Sequence, residues 1–93
     1  MKFANVSIRT IFTLHAKTAM DERRINPDWV RRAIETPDWT EADPTQAGAI
    51  RAFVRLSEYD NRVCRVVYVE EGDERRVITT FVDRGRRHGP KEQ

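Results

Sequence analysis

The chain has 93 residues, of which 39% are hydrophobic and 34% charged, with four glycines and four prolines. A chain of this length buries about 60–70% of its unfolded surface, which excludes two independent cores, and its composition excludes a disordered or fibrous protein. No stretch approaches the roughly 20 apolar residues of a membrane helix, and the early polar residues do not fit a signal peptide. Because Cys64 is the single cysteine, we expect no internal disulfide and a location in the reducing cytoplasm.

Positive charge is concentrated at the C-terminal end of the chain. The net charge is +2, but residues 84–93 contain four basic residues and one acidic residue, so the remainder is slightly acidic. Fourteen of the 17 basic residues are arginine, whose planar fork suits phosphate groups. These patterns predict a single domain over residues 1–83 and a basic, flexible tail over residues 84–93.

The first half of the chain predicts a short strand followed by two helices. Residues 7–13 are rich in β-branched and aromatic side chains, which is typical of a strand or an extended entry. Thr13 is a suitable N-cap for a helix over residues 14–24. The segment Asn26-Pro27-Asp28 begins a second helix over residues 27–35, because Asn caps a helix and Pro is favoured in its first turn. The two helices should form a helical hairpin.

The second half changes to a period of two and predicts an antiparallel meander. Residues 38–48 are polar and read as a loop, in which the segment around Trp39 is a candidate edge-strand fragment. Strands are expected over residues 50–57, 62–70 and 75–83, and the middle one is expected at the centre of the sheet because both of its faces are apolar. The fold class is therefore α+β, with a short N-terminal strand and a two-helix hairpin packed on a three- to four-stranded antiparallel sheet. Five side chains should be largely buried: Met20, Trp29, Ile34, Val67 and Ile78.

Arginine is the only abundant residue type that could form a binding site. An Arg-lined sheet with His15 at its edge is suited to holding a phosphodiester and stabilising its transition state without a metal. The alternatives are that the arginines pair with the acidic residues interleaved among them, and that His15 bonds a backbone carbonyl at the strand–helix junction. The candidate substrate-binding residues are Arg51, Arg55, Arg84, Arg86 and Arg87.

The sequence predicts neither a metal site nor a cofactor site. Its two histidines and one cysteine lack the spacing of a zinc site, and its isolated glycines form no phosphate-binding loop. Cys64 lies in a run of valines within a predicted strand, which indicates a small buried side chain.

Two segments resemble a large, uncharacterised family of small bacterial proteins. Phe12-Thr13-Leu14-His15-Ala16, followed by Met20, Arg23 and Ile25, resembles the family's F-T-x-H-A-x-x-R-M-x-x-R-x-I opening, and Val77-Ile78-Thr79-Thr80 resembles its V-I-T closing strand. That family is similar in element order to the RelE, ParE and BrnT toxins, so the resemblance implies a RelE-like fold. RelE-type and BrnT-type toxins are metal-independent ribonucleases, whereas ParE-type toxins poison DNA gyrase.

The resemblance also implies catalytic roles for His15, Arg23, Arg65 and Thr79. His15 would act as acid or base, Arg23 would stabilise developing charge, and Arg65 would hold RNA. Ala19 stands where the family usually has Arg, which leaves catalytic activity open. We therefore expect a toxin-like, metal-independent endoribonuclease, with RNA and a small acidic antitoxin-like protein as candidate partners and no membrane association. The alternative is a non-catalytic module that uses its Arg-lined sheet face for a protein partner or for homodimerisation.

Overall fold

A computed structural model describes residues 9–83 of the chain. The described residues form one sheet, in the strand order β1-β5-β4-β3-β2, with two helices packed on it. This arrangement confirms the α+β class. The elements in chain order are β1 (Arg9–Phe12), α1 (Leu14–Arg23), α2 (Pro27–Glu35), β2 (Trp39–Ala42), β3 (Ala49–Leu56), a 3-10 turn (Ser57–Tyr59), β4 (Arg62–Glu71) and β5 (Glu74–Asp83). The predicted tail over residues 84–93, with its candidate arginines, and residues 7 and 8 of the predicted first strand lie outside the described residues.

Helix α1 begins at the N-cap that the sequence predicts. The hydroxyl oxygen of Thr13 accepts a hydrogen bond from the backbone N–H of Ala16 at 3.1 Å, and its O–H donates one to the carbonyl oxygen of Val77 at 2.8 Å. The same side chain therefore starts the helix and ties it to β5. The helix is closed by Arg24, whose φ of 56° lies in the left-handed region.

Helix α2 has the predicted bounds because its first turn is set by local chemistry. The side-chain oxygen of Asn26 accepts a hydrogen bond from the backbone N–H of Asp28 at 2.8 Å, and Pro27 occupies the first helical position. Its core-facing residues are Val30, Ala33 and Ile34.

The sheet has one more strand than predicted and is not wholly antiparallel. Strand β2 forms where the sequence allowed an edge-strand fragment around Trp39 and pairs with β3 in antiparallel orientation, whereas β1 pairs with β5 in parallel orientation. The sheet is therefore mixed and five-stranded, not antiparallel with three or four strands. Each edge strand has only four residues, too few for a clear periodic pattern. Strand β4 lies at the centre as predicted.

A β-bulge decides which residue of β5 packs against the helices. Val67 lies opposite Thr79 but Tyr68 lies opposite Val77, so Ile78 is the extra residue between the two pairs. Val77 is fully buried in the core, whereas Ile78 is half-buried. The prediction that Ile78 is largely buried is wrong for this reason.

The main core lies between the helices and the face of the sheet turned toward them, here called the inner face; the opposite face is called the outer face. Burial of Ile34 and Val67 is confirmed, whereas Met20 and Trp29 are only half-buried. Both of the latter pack against the core cluster. Strands β3 and β4 contribute Ala52, Val54, Leu56, Cys64, Val66 and Tyr68 to this core.

Candidate functional site

The four residues predicted to be catalytic lie in two groups on opposite sides of the sheet. His15 is exposed in the first turn of α1, and Arg23 is exposed in its last turn. Arg65 lies on the outer face, because side chains alternate along a strand and its neighbour Val66 belongs to the core. Thr79 also lies on the outer face. The sheet therefore separates His15 and Arg23 from Arg65 and Thr79.

His15 and Arg23 are also far from each other along α1. They are eight positions apart in the sequence, which corresponds to a rise of about 12 Å along the helix axis. One guanidinium N–H of Arg23 donates to the carbonyl oxygen of Thr80 at 3.1 Å. Ala19, on the same helix, is 3% exposed. That position of α1 therefore serves helix packing in this chain.

Four residues form a continuous row across the outer face of the sheet. Trp39, Phe53, Arg65 and Phe81 are directly opposite one another on β2, β3, β4 and β5. The rings of Trp39 and Phe53 stack with centroids 4.6 Å apart and an interplanar angle of 6°. The guanidinium carbon of Arg65 lies 4.1 Å from the ring centroid of Phe81, within the range of a cation–π contact. We call this set the outer-face row.

The other two arginines predicted on the sheet flank the outer-face row. Arg51 forms ion pairs with Glu41 at 3.5 Å and with Asp43 at 3.6 Å. For Arg51, the structure therefore favours the alternative in which the arginines pair with neighbouring acids. Arg55 lies in the same strand and its backbone N–H donates to a carboxylate oxygen of Asp38 at 2.6 Å.

Arg23 shares a pocket with residues that the sequence analysis did not select. The pocket has a volume of about 310 Å³ and lies on the helix side of the sheet, lined by Arg23, Tyr59, Arg62 and Val82. Arg62 is on the inner face because it pairs with Leu56, a fully buried core residue. None of the four residues that line the pocket is acidic. Two guanidinium groups thus meet at one pocket, which we call the arginine pocket.

One side of the arginine pocket is formed by Tyr59, whose ring is held in place by stacking. Tyr59 stacks on Trp29 of α2 with ring centroids 5.2 Å apart, and the guanidinium carbon of Arg62 lies 4.6 Å from the Tyr59 ring centroid. The turn that carries Tyr59 is connected to α2 by a bidentate ion pair. The two terminal guanidinium nitrogens of Arg32 donate to the two carboxylate oxygens of Glu58 at 3.2 and 2.7 Å. Hydrogen bonding from Arg32 lowers the pKa of Glu58 from 4.5 to about 2.

No local motif of the sequence marks Tyr59 and Arg62 as site residues. Tyr59 reads as a turn residue before Asp60, and Arg62 reads as the first residue of a strand. The one useful signal is the hairpin register, because pairing Arg62 with Leu56 places it on the inner face. Nothing in the sequence then brings it to the end of α1.

Cys64 is not available as a nucleophile. Its side chain has no exposed surface, which confirms the prediction of a small buried residue, and burial raises the pKa of its thiol to about 11. Within residues 9–83, no group of His, Cys, Asp and Glu side chains is arranged to hold a metal ion. None of the helices in this range is long and apolar enough to cross a membrane.

Comparison with protein families finds one matching model, which covers residues 12–82. The chain belongs to the DUF4258 family. That family is described as a domain of unknown function, and the match includes both the outer-face row and the arginine pocket. Comparison with curated proteins and with solved structures finds no match.

Proposed function

We propose that this DUF4258 protein is a toxin-like RNA-binding protein with metal-independent endoribonuclease activity, related to the RelE-type and BrnT-type toxins. We propose further that its fold is RelE-like and that a single RNA strand lies on the outer face of the sheet. The observation that carries the proposal is the outer-face row, in which Trp39, Phe53, Arg65 and Phe81 lie in register across four strands.

The chemistry of the outer-face row suits unstacked RNA bases. Single-stranded RNA is recognised by stacking its bases on aromatic rings and guanidinium planes. Neighbouring strands are about 4.8 Å apart, so four strands space Trp39 and Phe81 by roughly 14 Å. Both of these end residues are half-buried, whereas Phe53 is fully buried between them. The ends of the row therefore offer surface to a ligand, and Phe53 supports them.

Cleavage on the outer face would depend on Arg65 and Thr79, the two predicted catalytic residues on that side. A guanidinium aimed at the scissile phosphate stabilises the negative charge that builds up on its oxygens. His15 and Arg23 lie on the other side of the sheet, so an RNA strand on the outer face does not meet them. We therefore propose that Arg65 contributes more to cleavage than His15.

A binding assay tests the position of the RNA. The probe is a labelled single-stranded oligoribonucleotide without terminal phosphates, with EDTA present. Trp39→Leu is expected to raise Kd about tenfold, because one stacked base contributes roughly 1–3 kcal/mol. The matched control is Trp29→Leu, which removes a half-buried tryptophan on the helix side. Equal Kd values for wild type and Trp39→Leu would contradict the proposal.

A cleavage assay and a growth assay test catalysis separately from binding. Wild type in EDTA is expected to cut the oligoribonucleotide, and its induction in a bacterial host is expected to slow growth. Arg65→Gln should reduce both effects, whereas His15→Ala should reduce them less. A wild type that binds RNA but neither cuts it nor slows growth would refute the ribonuclease part of the proposal.

The second candidate function is a non-catalytic protein-binding module that uses the same face for a partner or for self-association. It is favoured by the apolar surface that the ends of the outer-face row leave exposed, since Trp39 and Phe81 are only half-buried. Aromatic residues and arginine are also enriched at protein interfaces. Sedimentation analysis tests this second candidate. If the face serves self-association, the wild type should be a dimer that Trp39→Leu dissociates, and the protein should not bind RNA.

A further inference from the structure

We propose that the arginine pocket binds a dianionic phosphate group, either of inorganic phosphate or of a phosphate monoester. The pocket is formed by Arg23 at the end of α1, Tyr59 in the 3-10 turn, and Arg62 and Val82 at the adjoining strand ends. It lies on the side of the sheet opposite the outer-face row. The site is therefore independent of the RNA surface proposed above.

Neither guanidinium of the arginine pocket is paired with a carboxylate among the described residues. Six other arginines of the described chain are paired with carboxylates, as Arg32 is with Glu58 and Arg75 is with Glu70. Within residues 9–83, neither Arg23 nor Arg62 forms an ion pair. Two guanidiniums that share one pocket without a paired carboxylate attract an anion.

Arg62 also carries a buried donor that lacks an acceptor. Its Nε is buried and has no hydrogen-bond partner among the described residues. A buried N–H without a partner is uncommon in native proteins, because losing its hydration costs free energy that a hydrogen bond to another group, a water or an ion recovers. An oxygen of a phosphate group seated beside Arg62 would supply the acceptor, with a small rotation of the guanidinium on the Tyr59 ring.

Both guanidiniums are held in place before a ligand arrives. Arg62 lies on the ring of Tyr59, which is itself stacked on Trp29. Arg23 is held by its hydrogen bond to the carbonyl oxygen of Thr80, which uses one of its five N–H donors. Side chains that are already ordered lose less entropy on binding, which favours affinity.

The size and charge of the arginine pocket select the kind of anion. A phosphate monoester carries about 1.5 to 2 negative charges at neutral pH, which matches two guanidiniums, and the planar fork of arginine fits phosphate oxygens in pairs. The volume of about 310 Å³ is at the small end of ligand pockets. These properties fit inorganic phosphate, a mononucleotide, or the phosphorylated end of an RNA strand.

The test is a titration of the full-length, 15N-labelled protein with inorganic phosphate, followed by NMR at constant ionic strength. The expected result is a saturable shift of the Arg62 side-chain N–H signal and of the backbone signals of Tyr59 and Val82. Arg23→Gln and Arg62→Gln should each raise Kd about tenfold, because a hydrogen bond to a charged group contributes roughly 1.5–3 kcal/mol. The matched control is Arg24→Gln, which removes an exposed arginine that lines a different groove.

Two further measurements keep the test decisive. If Arg62→Gln does not fold, Arg62→Lys retains the charge but loses the planar fork and should also weaken binding. Titration with adenosine monophosphate, and with one oligoribonucleotide bearing either a 5′-phosphate or a 5′-hydroxyl, identifies the source of the phosphate group. Unchanged Kd values in Arg23→Gln and Arg62→Gln, or shifts confined to other parts of the protein, would overturn the proposal while leaving RNA binding on the outer face intact.

Discussion

Cys64 illustrates at the residue scale how burial controls chemistry. Its sulfur lies on the inner face of β4, 3.8 Å from the hydroxyl of Thr80, with no exposed surface. Burial raises the pKa of the thiol to about 11, and the thiolate is the reactive form. The native protein should therefore react with a thiol reagent such as Ellman's reagent at pH 8 only as fast as it unfolds.

That prediction is checked by measuring labelling rates with and without denaturant. The control is protein unfolded in denaturant, whose thiol should react at the rate of a free, accessible thiol. Rapid, complete labelling of the native protein would show that the β4–β5 region opens far more readily than its packing indicates.

Thr13 has two structural roles in one side chain. Its hydroxyl caps α1 and also bonds the carbonyl oxygen of Val77 in β5. Thr13→Ala is expected to lower the free energy of unfolding by about 0.5–2 kcal/mol, the range found for lost N-caps. The measurement is urea denaturation followed by circular dichroism. The control, Thr18→Ala on the exposed side of the same helix, should change stability by less than about 0.5 kcal/mol.

At the scale of elements, the Arg32–Glu58 ion pair connects α2 to the 3-10 turn between β3 and β4. The pair holds Tyr59 beside Trp29 and so supports the arginine pocket. Because both partners are solvent-exposed, its contribution to stability should be modest and should weaken at high salt. The arrangement matters mainly because it positions the turn.

The pKa of Glu58 makes this ion pair testable by pH. Since folding lowers that pKa from 4.5 to about 2, the stabilisation is complete above pH 4.5 and is lost as the pH falls to about 2. The difference in unfolding free energy between wild type and Glu58→Gln should shrink over this interval. Glu35→Gln, at the exposed end of α2, is the control. A difference that stays constant from pH 5 to pH 2 would contradict the ion-pair assignment.

At the scale of the whole molecule, the sheet is packed on both faces. The helices cover the inner face, while on the outer face Phe53 is also fully buried and stacks on Trp39. The outer-face row is therefore part of the folded structure as well as a candidate binding surface. Substitutions there must be checked for stability before an effect on binding is interpreted.

Phe53→Ala measures how much the outer face contributes to stability. Truncating a buried phenylalanine costs about 3–5 kcal/mol, a large part of the 5–15 kcal/mol that is typical of small domains. Phe81→Ala should cost less, because Phe81 is half-buried. Urea denaturation of both variants provides the comparison. A loss below about 1 kcal/mol for Phe53→Ala would show that the outer face packs only loosely.

The sequence by itself determined the elements that depend on local interactions. The N-caps Thr13 and Asn26 place both helix starts correctly, and the helix over residues 27–35 has the observed bounds. The predicted strands at 50–57, 62–70 and 75–83 agree with β3, β4 and β5 to within one residue. Capping, turn chemistry and hydrophobic periodicity are encoded in neighbouring residues, so they can be read from the chain alone.

The tertiary structure alone decided how those elements combine into surfaces. The pairing of β1 with β5 joins residues about 65 positions apart, such as Arg9 and Glu74, and no local pattern specifies such a pair. From the bulge at Ile78 onward, each side chain of β5 lies on the opposite face of the sheet from the one that strict alternation would give it. The alternation of side chains along β4 puts Arg65 on the outer face. The cross-strand register puts Arg62 on the inner face, which α1 covers. Both candidate sites therefore depend on register and on non-local hydrogen bonds, which form only when the whole sheet is assembled.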